Sequence, residues 1–310
     1  MKRALLFILL LLPGAFAPAQ GVSYLTVTDE AQYQDTGDFT NTFEIQIFQA
    51  GSKEAAKCQA VRIAKEWYIT AAHCVAACAQ GCSVVARLAV TPQYEMRALV
   101  TNTARRPRVF LHPGYNPGVK TAKNDMALLY FPPRAAEYYF LAGRRAISEE
   151  VFLKIIPDYN IYYKANHGAN LPAILELNPK TSRLLNRQIS AVSIWDGRRE
   201  VLPATKPLIY NAPLGVFLGE NFGIKQGISG SGLMTNTGEL AAIVSAMADL
   251  EVKSGKGDGG KNVRVIFAVP FDDAAVKFIK AHAPHAQIKE AGPAMLSAVP
   301  AQYTYLGQKF

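Results

Sequence analysis

The chain has 310 residues, of which 50% are hydrophobic and 18% charged, and its formal net charge is +9 at pH 7. This length allows two packed units with a sizeable core. The basic residues are scattered rather than gathered in a stripe, and no nucleic-acid motif is present. The charge therefore predicts a basic soluble surface and no nucleic-acid partner.

The first residues of the chain have the sequence pattern of a secretory signal peptide. Lys2 and Arg3 form a basic start, residues 4–12 form an apolar stretch too short to span a bilayer comfortably, and small residues follow. We predict cleavage after Ala19, which makes residues 1–19 the signal peptide and the protein secreted or periplasmic. An uncleaved N-terminal anchor is the alternative. No later segment is apolar and long enough to cross a membrane, so no membrane partner is expected after cleavage.

Short strands are predicted after a polar N-terminal arm or pro-segment at residues 20–40. From residue 43 onward, alternating apolar and polar residues are separated by turn residues, and residues 43–48 show the pattern most clearly. Evenly spaced short strands with little helix indicate an all-β sandwich or barrel. We assign residues 41–132 to the first such unit.

The middle of the chain has a different pattern. Residues 133–190 are predicted to be a linker with an insertion, in which residues 134–147 and 149–156 could be helical. A second β unit that ends in a helix is predicted over residues 191–282. Residues 283–310 form a proline-containing C-terminal tail.

Three short segments place chemically different groups among small residues. Residues 70–74 offer an imidazole, residues 124–129 a carboxylate and residues 227–232 a hydroxyl. A hydroxyl is a poor nucleophile unless a base takes its proton, and a histidine does so well only when a third group orients it. The order His, Asp, Ser is one of the known orders of this constellation, and it predicts acyl transfer.

Each group has a predicted role. Ser229 is the nucleophile, His73 is the general base and then the general acid, and Asp125 orients His73. Ser231 is the rival nucleophile, but it would put Ser229 where the oxyanion loop needs a glycine. The backbone N–H groups of Gly227 and Ser229 are expected to form the oxyanion hole. The other histidines are predicted to lie at the surface or in turns: His112, His167, His282 and His285.

These motifs resemble the trypsin/chymotrypsin-like serine protease family, and its bacterial branch more than its digestive one. Residues 57–74 resemble the strands and short helical turn that lead into the catalytic histidine, and residues 126–131 resemble the buried strand behind the aspartate. Residues 240–245 resemble the strand after the nucleophile. Residues 265–269 and 271–281 resemble the last strand and the C-terminal helix.

The resemblance implies an all-β fold of two packed six-stranded antiparallel Greek-key β-barrels, the first holding His73 and Asp125 and the second holding Ser229 and the C-terminal helix. It also implies a serine endopeptidase that acts on a protein or peptide substrate without a metal or other cofactor. We expect a monomer.

The resemblance also suggests which residues contact substrate. Ser245 resembles the residue beside both the buried aspartate and the substrate backbone, and Ala246 and Met247 follow it along the cleft wall. Gly223 falls near the base of the pocket that accepts the side chain before the cut. No acidic residue stands there, so a small or apolar side chain fits better than a basic one.

Ile228 departs from the family pattern. Animal members carry an acidic residue before the nucleophile, and that residue receives a newly freed N-terminal amine on activation. Ile228 cannot pair with a charge. We therefore predict that the oxyanion loop forms without this ion pair.

Four cysteines in a secreted chain predict disulfides, with three possible connectivities. We predict Cys58–Cys74, which matches the family bridge beside the catalytic histidine, and Cys78–Cys82. The spacing of Cys74, Cys78 and Cys82 also suits a metal or cluster site, but export to an oxidising compartment argues against it.

Two other classes of function remain as alternatives. A catalytically inactive protease-fold binding module is one, although inactive members usually lose a triad residue and this chain keeps all three. A lipase or esterase of the α/β-hydrolase type is the other, but it requires the order Ser, acid, His.

Overall fold

This computed structural model describes the following residues: 41–49, 52, 54–91, 94–119, 122–132, 136–140, 145–147, 171–177, 184–185, 189–195, 198–204, 208–252, 261–291, 304–305 and 308–309. The predicted signal peptide and N-terminal arm lie outside them, as does the predicted helix at residues 149–156.

The first part of the chain forms an antiparallel sheet of nine strands. They are β1 (Thr42–Gln49), β2 (Ala55–Ala64), β3 (Trp67–Thr70), β4 (Cys82–Thr91), β5 (Tyr94–Asn102), β6 (Val109–Leu111), β7 (Ala127–Tyr130), β8 (Ala136–Phe140) and β9 (Arg145–Ile147). Their order in the sheet is β6-β7-β3-β2-β1-β4-β5-β8-β9. Between β3 and β4 lie the single helical turn α1 (Ala72–Val75) and a 3-10 helix (Ala76–Gln80).

Alternating apolar side chains fill the interior of this sheet. Phe43, Ile45 and Ile47 of β1 are all at most 2% exposed and belong to one core cluster. The Asn102 side chain joins β5 to the start of β6, because its Oδ1 accepts from the backbone N–H groups of Arg108 at 2.6 Å and of Val109 at 3.1 Å. One amide thus closes the curled sheet where strand pairing is incomplete.

The second sheet contains ten strands. They are β10 (Ile174–Glu176), β11 (Leu184–Leu185), β12 (Ile189–Trp195), β13 (Arg198–Pro203), β14 (Leu208–Asn211), β15 (Val216–Glu220), β16 (Gly232–Thr235), β17 (Leu240–Val252), β18 (Lys261–Pro270) and β19 (Ile288–Glu290). Eight of them follow the order β11-β14-β15-β18-β17-β16-β12-β13, and β10 pairs with both β17 and β19. Helix α2 (Asp273–His282) follows β18, and β20 (Thr304–Tyr305) pairs with β21 (Gln308–Lys309) as a separate two-stranded sheet.

A shared core holds the two sheets together. One cluster of buried residues draws Val61 and Leu128 from the first sheet, Leu240 and Ile243 from the second, and Ile279 from α2. Helix α2 begins at the N-cap Asp272, whose side chain accepts from the backbone N–H of Ala275. Burial of this apolar interface brings the ends of β3, β7 and β16 into one region.

The predicted all-β class is confirmed, since the described chain consists mainly of two curled antiparallel sheets with few helices. The strand numbers are higher than the six predicted for each barrel. One reason is the hairpin β8–β9, which lies where a helix was predicted at residues 134–147. That prediction was wrong because β8 pairs with the open edge of β5, from Tyr94 opposite Phe140 to Ala98 opposite Ala136, and a local pattern does not show such distant pairing.

The start of the predicted tail also joins the second sheet. Strand β19 runs parallel to β10, with Ile174 opposite Ile288. Lys289 forms an ion pair with Glu239 at 2.7 Å. Within the described residues, no helix has both the length and the apolar character needed to cross a bilayer.

Candidate active site

His73 and Asp125 lie in direct contact at one end of the first sheet. The Nδ1 atom of His73 is 2.6 Å from Oδ2 of Asp125, and the backbone N–H of His73 donates to Oδ1 at 2.7 Å. The two donors hold both carboxylate oxygens. The imidazole therefore has a fixed position relative to the carboxylate.

This contact also determines the direction of the imidazole. A carboxylate accepts hydrogen bonds, so Nδ1 carries the hydrogen and Nε2 is the free acceptor of the neutral ring. The side chain of Asp125 is 4% exposed, whereas that of His73 is 41% exposed. A buried carboxylate thus supports a base that solvent and substrate can reach.

The local sequence explains how both groups reach this place. Ala71 and Ala72 are fully buried, so the turn α1 that carries His73 packs closely on the sheet. Asp125 precedes β7 and follows Asn124, which has a φ of 57°. Asparagine tolerates this left-handed conformation better than most residues. The turn aims the carboxylate inward.

A third donor to Asp125 comes from the second sheet. The hydroxyl of Ser245, on β17, donates to Oδ2 at 2.5 Å, and Ser245 is 2% exposed. A carboxylate that accepts several hydrogen bonds is satisfied despite burial. The predicted placement of Ser245 beside the buried aspartate is thus present in the structure.

Ser229 is brought to this site by its own backbone. Its carbonyl accepts from the N–H of Gln59 on β2 at 2.8 Å. The next residue must be glycine, because a Cβ at Gly230 would lie 2.0 Å from the Gln59 carbonyl oxygen and 2.2 Å from the Thr70 hydroxyl, and its φ is 86°. The loop after the nucleophile therefore lies flat against the strands that lead to His73.

The Cys58–Cys74 disulfide contacts both Ser229 and His73. Sγ of Cys74 is 3.6 Å from Nε2 of His73 and 3.8 Å from the carbonyl oxygen of Ser229. A disulfide sulfur carries no hydrogen, so these are packing contacts. The hydroxyl of Ser229 itself donates to the backbone carbonyl of Ser245 at 3.1 Å and not to the imidazole.

The expected oxyanion loop has free donors. Gly227 has a φ of 92°, which glycine adopts without strain. Within the described chain, the amide nitrogens of Gly227 and Ser229 donate to no protein acceptor. Between them, Ile228 is 3% exposed and belongs to the core cluster of the second sheet. An apolar side chain therefore anchors the loop in the core.

Among the predicted substrate-contacting residues, Ser245 contacts Ser229, whose hydroxyl donates to the Ser245 carbonyl. Gly223 and Ala246 are exposed and Met247 is half-buried. Strand β16 pairs with β17 only as far as Ile243, and beyond Val244 the described residues place no strand on that side of β17. This free backbone edge can pair with an extended peptide.

The rival nucleophile and the other histidines lie in different environments. Ser231 is fully buried and its hydroxyl donates to the carbonyl of Val192 at 2.6 Å. His112 begins a turn, as predicted, since its carbonyl accepts from the N–H of Tyr115 at 2.9 Å, but it does not lie at the surface. It is 5% exposed, accepts from the N–H of Gly114 and packs edge-on against Phe278, so burial lowers the pKa of its imidazole. His282 is half-buried beside Phe278, His285 is exposed, and His167 lies outside the described residues.

Both predicted disulfides are formed, Cys58–Cys74 and Cys78–Cys82. None of the four sulfurs is therefore available as a thiolate ligand for the alternative metal site. The described residues contain one cluster with metal-ligand spacing, Cys58, His73 and Cys74, and its two sulfurs are bonded to each other.

Asn221 is a positioning residue that sequence reasoning missed. Its Oδ1 accepts from the backbone N–H groups of Gly223 at 3.1 Å and Ile224 at 2.7 Å, and its Nδ2 donates to the Ile224 carbonyl at 3.0 Å. These bonds fix the loop that leads to Ser229. The local signal is an asparagine two residues before a glycine, a pattern typical of an Asx turn.

Comparison with known proteins gives a partial family match. Residues 35–137 match the family model described as Trypsin. No curated protein matches the chain. Solved structures with a similar fold include HL collagenase, which is 17% identical with a TM-score of 0.44, over 80% of this chain and 95% of that chain. GrC is 15% identical with a TM-score of 0.42, over 80% of this chain and 96% of that chain. The scabies mite inactivated protease paralogue S-I1 is 15% identical with a TM-score of 0.41, over 79% of this chain and 94% of that chain.

The family match includes the segments of His73 and Asp125. The resemblance to trypsin-like serine proteases is therefore confirmed over residues 35–137. The closer resemblance to the bacterial branch of this family remains a prediction.

Proposed function

We propose that the protein is a secreted or periplasmic serine endopeptidase that hydrolyses peptide bonds through an acyl-enzyme on Ser229. The observation that carries this proposal is the imidazole of His73, which a buried Asp125 holds by Nδ1. Its Nε2 lies 3.6 Å from Sγ of Cys74, a sulfur that also contacts the carbonyl oxygen of Ser229 at 3.8 Å. A neutral imidazole in this tautomer can take a proton from a serine hydroxyl.

The residues would act in a fixed order. Nε2 of His73 removes the hydroxyl proton as Ser229 attacks the peptide carbonyl carbon, and the imidazolium then gives the proton to the leaving amine. Asp125 stabilises the imidazolium and keeps its orientation. Water repeats these steps on the acyl-enzyme and releases the second product.

The oxyanion of each tetrahedral intermediate would bind to the N–H groups of Gly227 and Ser229. Donors aimed at developing charge contribute about 3 kcal/mol each to lowering the barrier. The absence of protein acceptors for these two groups, among the described residues, supports this role.

The substrate would be a protein or peptide that pairs as an extended strand with the free edge of β17, at Ser245, Ala246 and Met247. A free strand edge suits an extended backbone of any sequence. The two disulfides support an oxidising compartment. We expect the mature chain to act as a monomer.

The direct test is fluorophosphonate labelling of the purified protein, with the labelled peptide located by mass spectrometry. We expect the label on Ser229 and not on Ser231. Ser229→Ala should abolish labelling and casein hydrolysis, and His73→Ala should slow both. Undiminished hydrolysis by Ser229→Ala would contradict the assignment.

A catalytically inactive binding module is the second candidate. One observation favours it: the Ser229 hydroxyl donates to the Ser245 carbonyl instead of to His73. The labelling experiment separates the two candidates. An inactive module would leave Ser229 unlabelled while peptide still bound along β17.

A further inference from the structure

The space beside Ser229 has two walls. The loop at residues 221–228 leads into Ser229, and the free edge of β17 at residues 245–247 lies opposite, with the Ser229 hydroxyl 3.1 Å from the Ser245 carbonyl. A peptide attacked by Ser229 while it pairs with this edge must place the side chain before the cut between these walls. Their composition therefore decides which side chains fit.

Met247 occupies the wall formed by β17. It lies opposite Ile266 of β18 in the ladder, and residues directly opposite each other place their side chains on the same face of a sheet. Ile266 is fully buried in the core cluster of the second sheet, together with Ile224 and Ile228. Met247 is half-buried and packs against this cluster, so its side chain covers the apolar floor.

Asn221 holds the opposite wall against Met247. Its three hydrogen bonds to Gly223 and Ile224 fix the loop, and its Nδ2 lies 3.9 Å from Sδ of Met247. Ile224 is 2% exposed and points into the core, whereas Lys225 is exposed. Asn221 and Met247 thus bring the two walls into contact, and a large side chain that entered between them would have to displace Met247.

We propose that Met247, held by Asn221, restricts cleavage to peptide bonds that follow glycine or alanine. This inference rests on the proposed endopeptidase function. A larger side chain can enter only if Met247 leaves its packing position. Apolar pockets discriminate by roughly 10- to 200-fold for a single methylene, so this restriction is large enough to measure.

The test compares kcat/KM for matched peptides with Gly, Ala, Leu or Phe before the scissile bond. The wild-type protein should prefer Ala over Leu and Phe by at least about tenfold. Met247→Ala should raise the Leu-to-Ala ratio by at least about tenfold. The matched control Met247→Leu conserves the volume and should keep the ratio within about threefold of the wild-type value.

Fluorophosphonate labelling, run in parallel, shows whether each variant has a folded and reactive site. If Met247→Ala does not fold, Asn221→Ala replaces it, because it frees Met247 without removing a core side chain. It should shift the ratio in the same direction by a smaller factor.

The outcomes are distinct. Wild-type protein that labels but cuts after Phe as well as after Ala would overturn this inference alone. A Met247→Ala variant that labels but keeps the wild-type Leu-to-Ala ratio would also overturn this inference alone. The same holds for Asn221→Ala where it replaces Met247→Ala. Wild-type protein that neither labels nor cuts would overturn the proposed function and this inference with it.

Discussion

Ser229 donates its hydroxyl hydrogen to the backbone carbonyl of Ser245, 3.1 Å away. That carbonyl lies on the free edge of β17, where an extended substrate would place a backbone N–H. A serine hydroxyl changes direction by rotation about one bond between staggered positions. A substrate N–H that takes the carbonyl would therefore release the hydroxyl toward Nε2 of His73, and substrate binding would complete the site.

This relationship predicts the effect of removing one substrate hydrogen. A peptide that is N-methylated at the residue before the cut cannot donate to the Ser245 carbonyl. We expect kcat/KM to fall about tenfold or more, the equivalent of one lost hydrogen bond. The control peptide carries the methyl group five residues away, outside the paired segment. Equal cleavage of the two peptides would contradict the proposed binding mode.

Asp125→Asn tests the orientation of the imidazole. The amide nitrogen cannot accept from Nδ1, so the ring adopts the wrong tautomer, and kcat should fall on the order of 10⁴-fold. The melting temperature should change little because the side chains have the same shape. Asp273→Asn, at the exposed start of α2, is the matched control and should keep full kcat. A variant at residue 125 with more than a tenth of the activity would exclude this role.

Residue type alone was enough to nominate the candidate groups of the site. An imidazole, a carboxylate and a hydroxyl within small-residue segments indicated the chemistry, and the structure places His73 and Asp125 in contact. The direction of the Ser229 hydroxyl was not predictable, because a rotamer depends on acceptors from distant strands. Asn221 was missed since its importance lies in three bonds to backbone that appear only when the loop is folded.

The fold was predictable where the pattern was local. Strand β1 matches the predicted alternation at residues 43–48. Hairpin β8–β9 and strand β19 were not predicted, because each is added to the edge of another strand that is far away in sequence. The burial of His112 was not predicted for the same reason, since its ring packs against Phe278 of helix α2, which is far away in sequence.

The burial of Ile228 in the apolar core predicts that the oxyanion loop forms without an N-terminal ion pair. Ile228→Asp would put a carboxylate into the apolar core that now holds the loop, with no charged partner to offset its desolvation. We expect a stability loss of about 3 kcal/mol or more and loss of fluorophosphonate labelling. Ile228→Val keeps the apolar anchor, so it should cost about 1 kcal/mol and retain labelling. A fully active Ile228→Asp would show that burial of this side chain does not form the loop.

The two disulfides should differ in effect. Replacing Cys58 and Cys74 by alanine opens a loop of 16 residues, which costs about 3 kcal/mol by the chain-entropy account, and it also removes the sulfur packed on His73 and Ser229. Both stability and kcat should fall. The matched double variant at Cys78 and Cys82 opens a loop of only 4 residues and should cost about 2 kcal/mol with kcat retained. Urea unfolding and ester hydrolysis measure the two effects, and equal kcat values would contradict a role for the first bridge at the site.

Glu239 should make stability depend on acidic pH. Burial by itself would raise the pKa of Glu239, but hydrogen bonds from Lys289, Thr235 and Thr237, with the charge of Lys289, lower it to about 2. A folded-state pKa below the unfolded value of about 4.5 stabilises the protein above that pH, and this contribution is lost as pH falls toward 2.

Glu239→Gln should therefore cost about 1–3 kcal/mol at pH 7 and reduce the further loss of stability between pH 4.5 and 2. Glu290→Gln removes an exposed carboxylate from the neighbouring strand β19 and should leave the pH dependence as in the wild type. Urea unfolding across this pH range measures both variants, and parallel curves for Glu239→Gln and the wild type would refute the assignment.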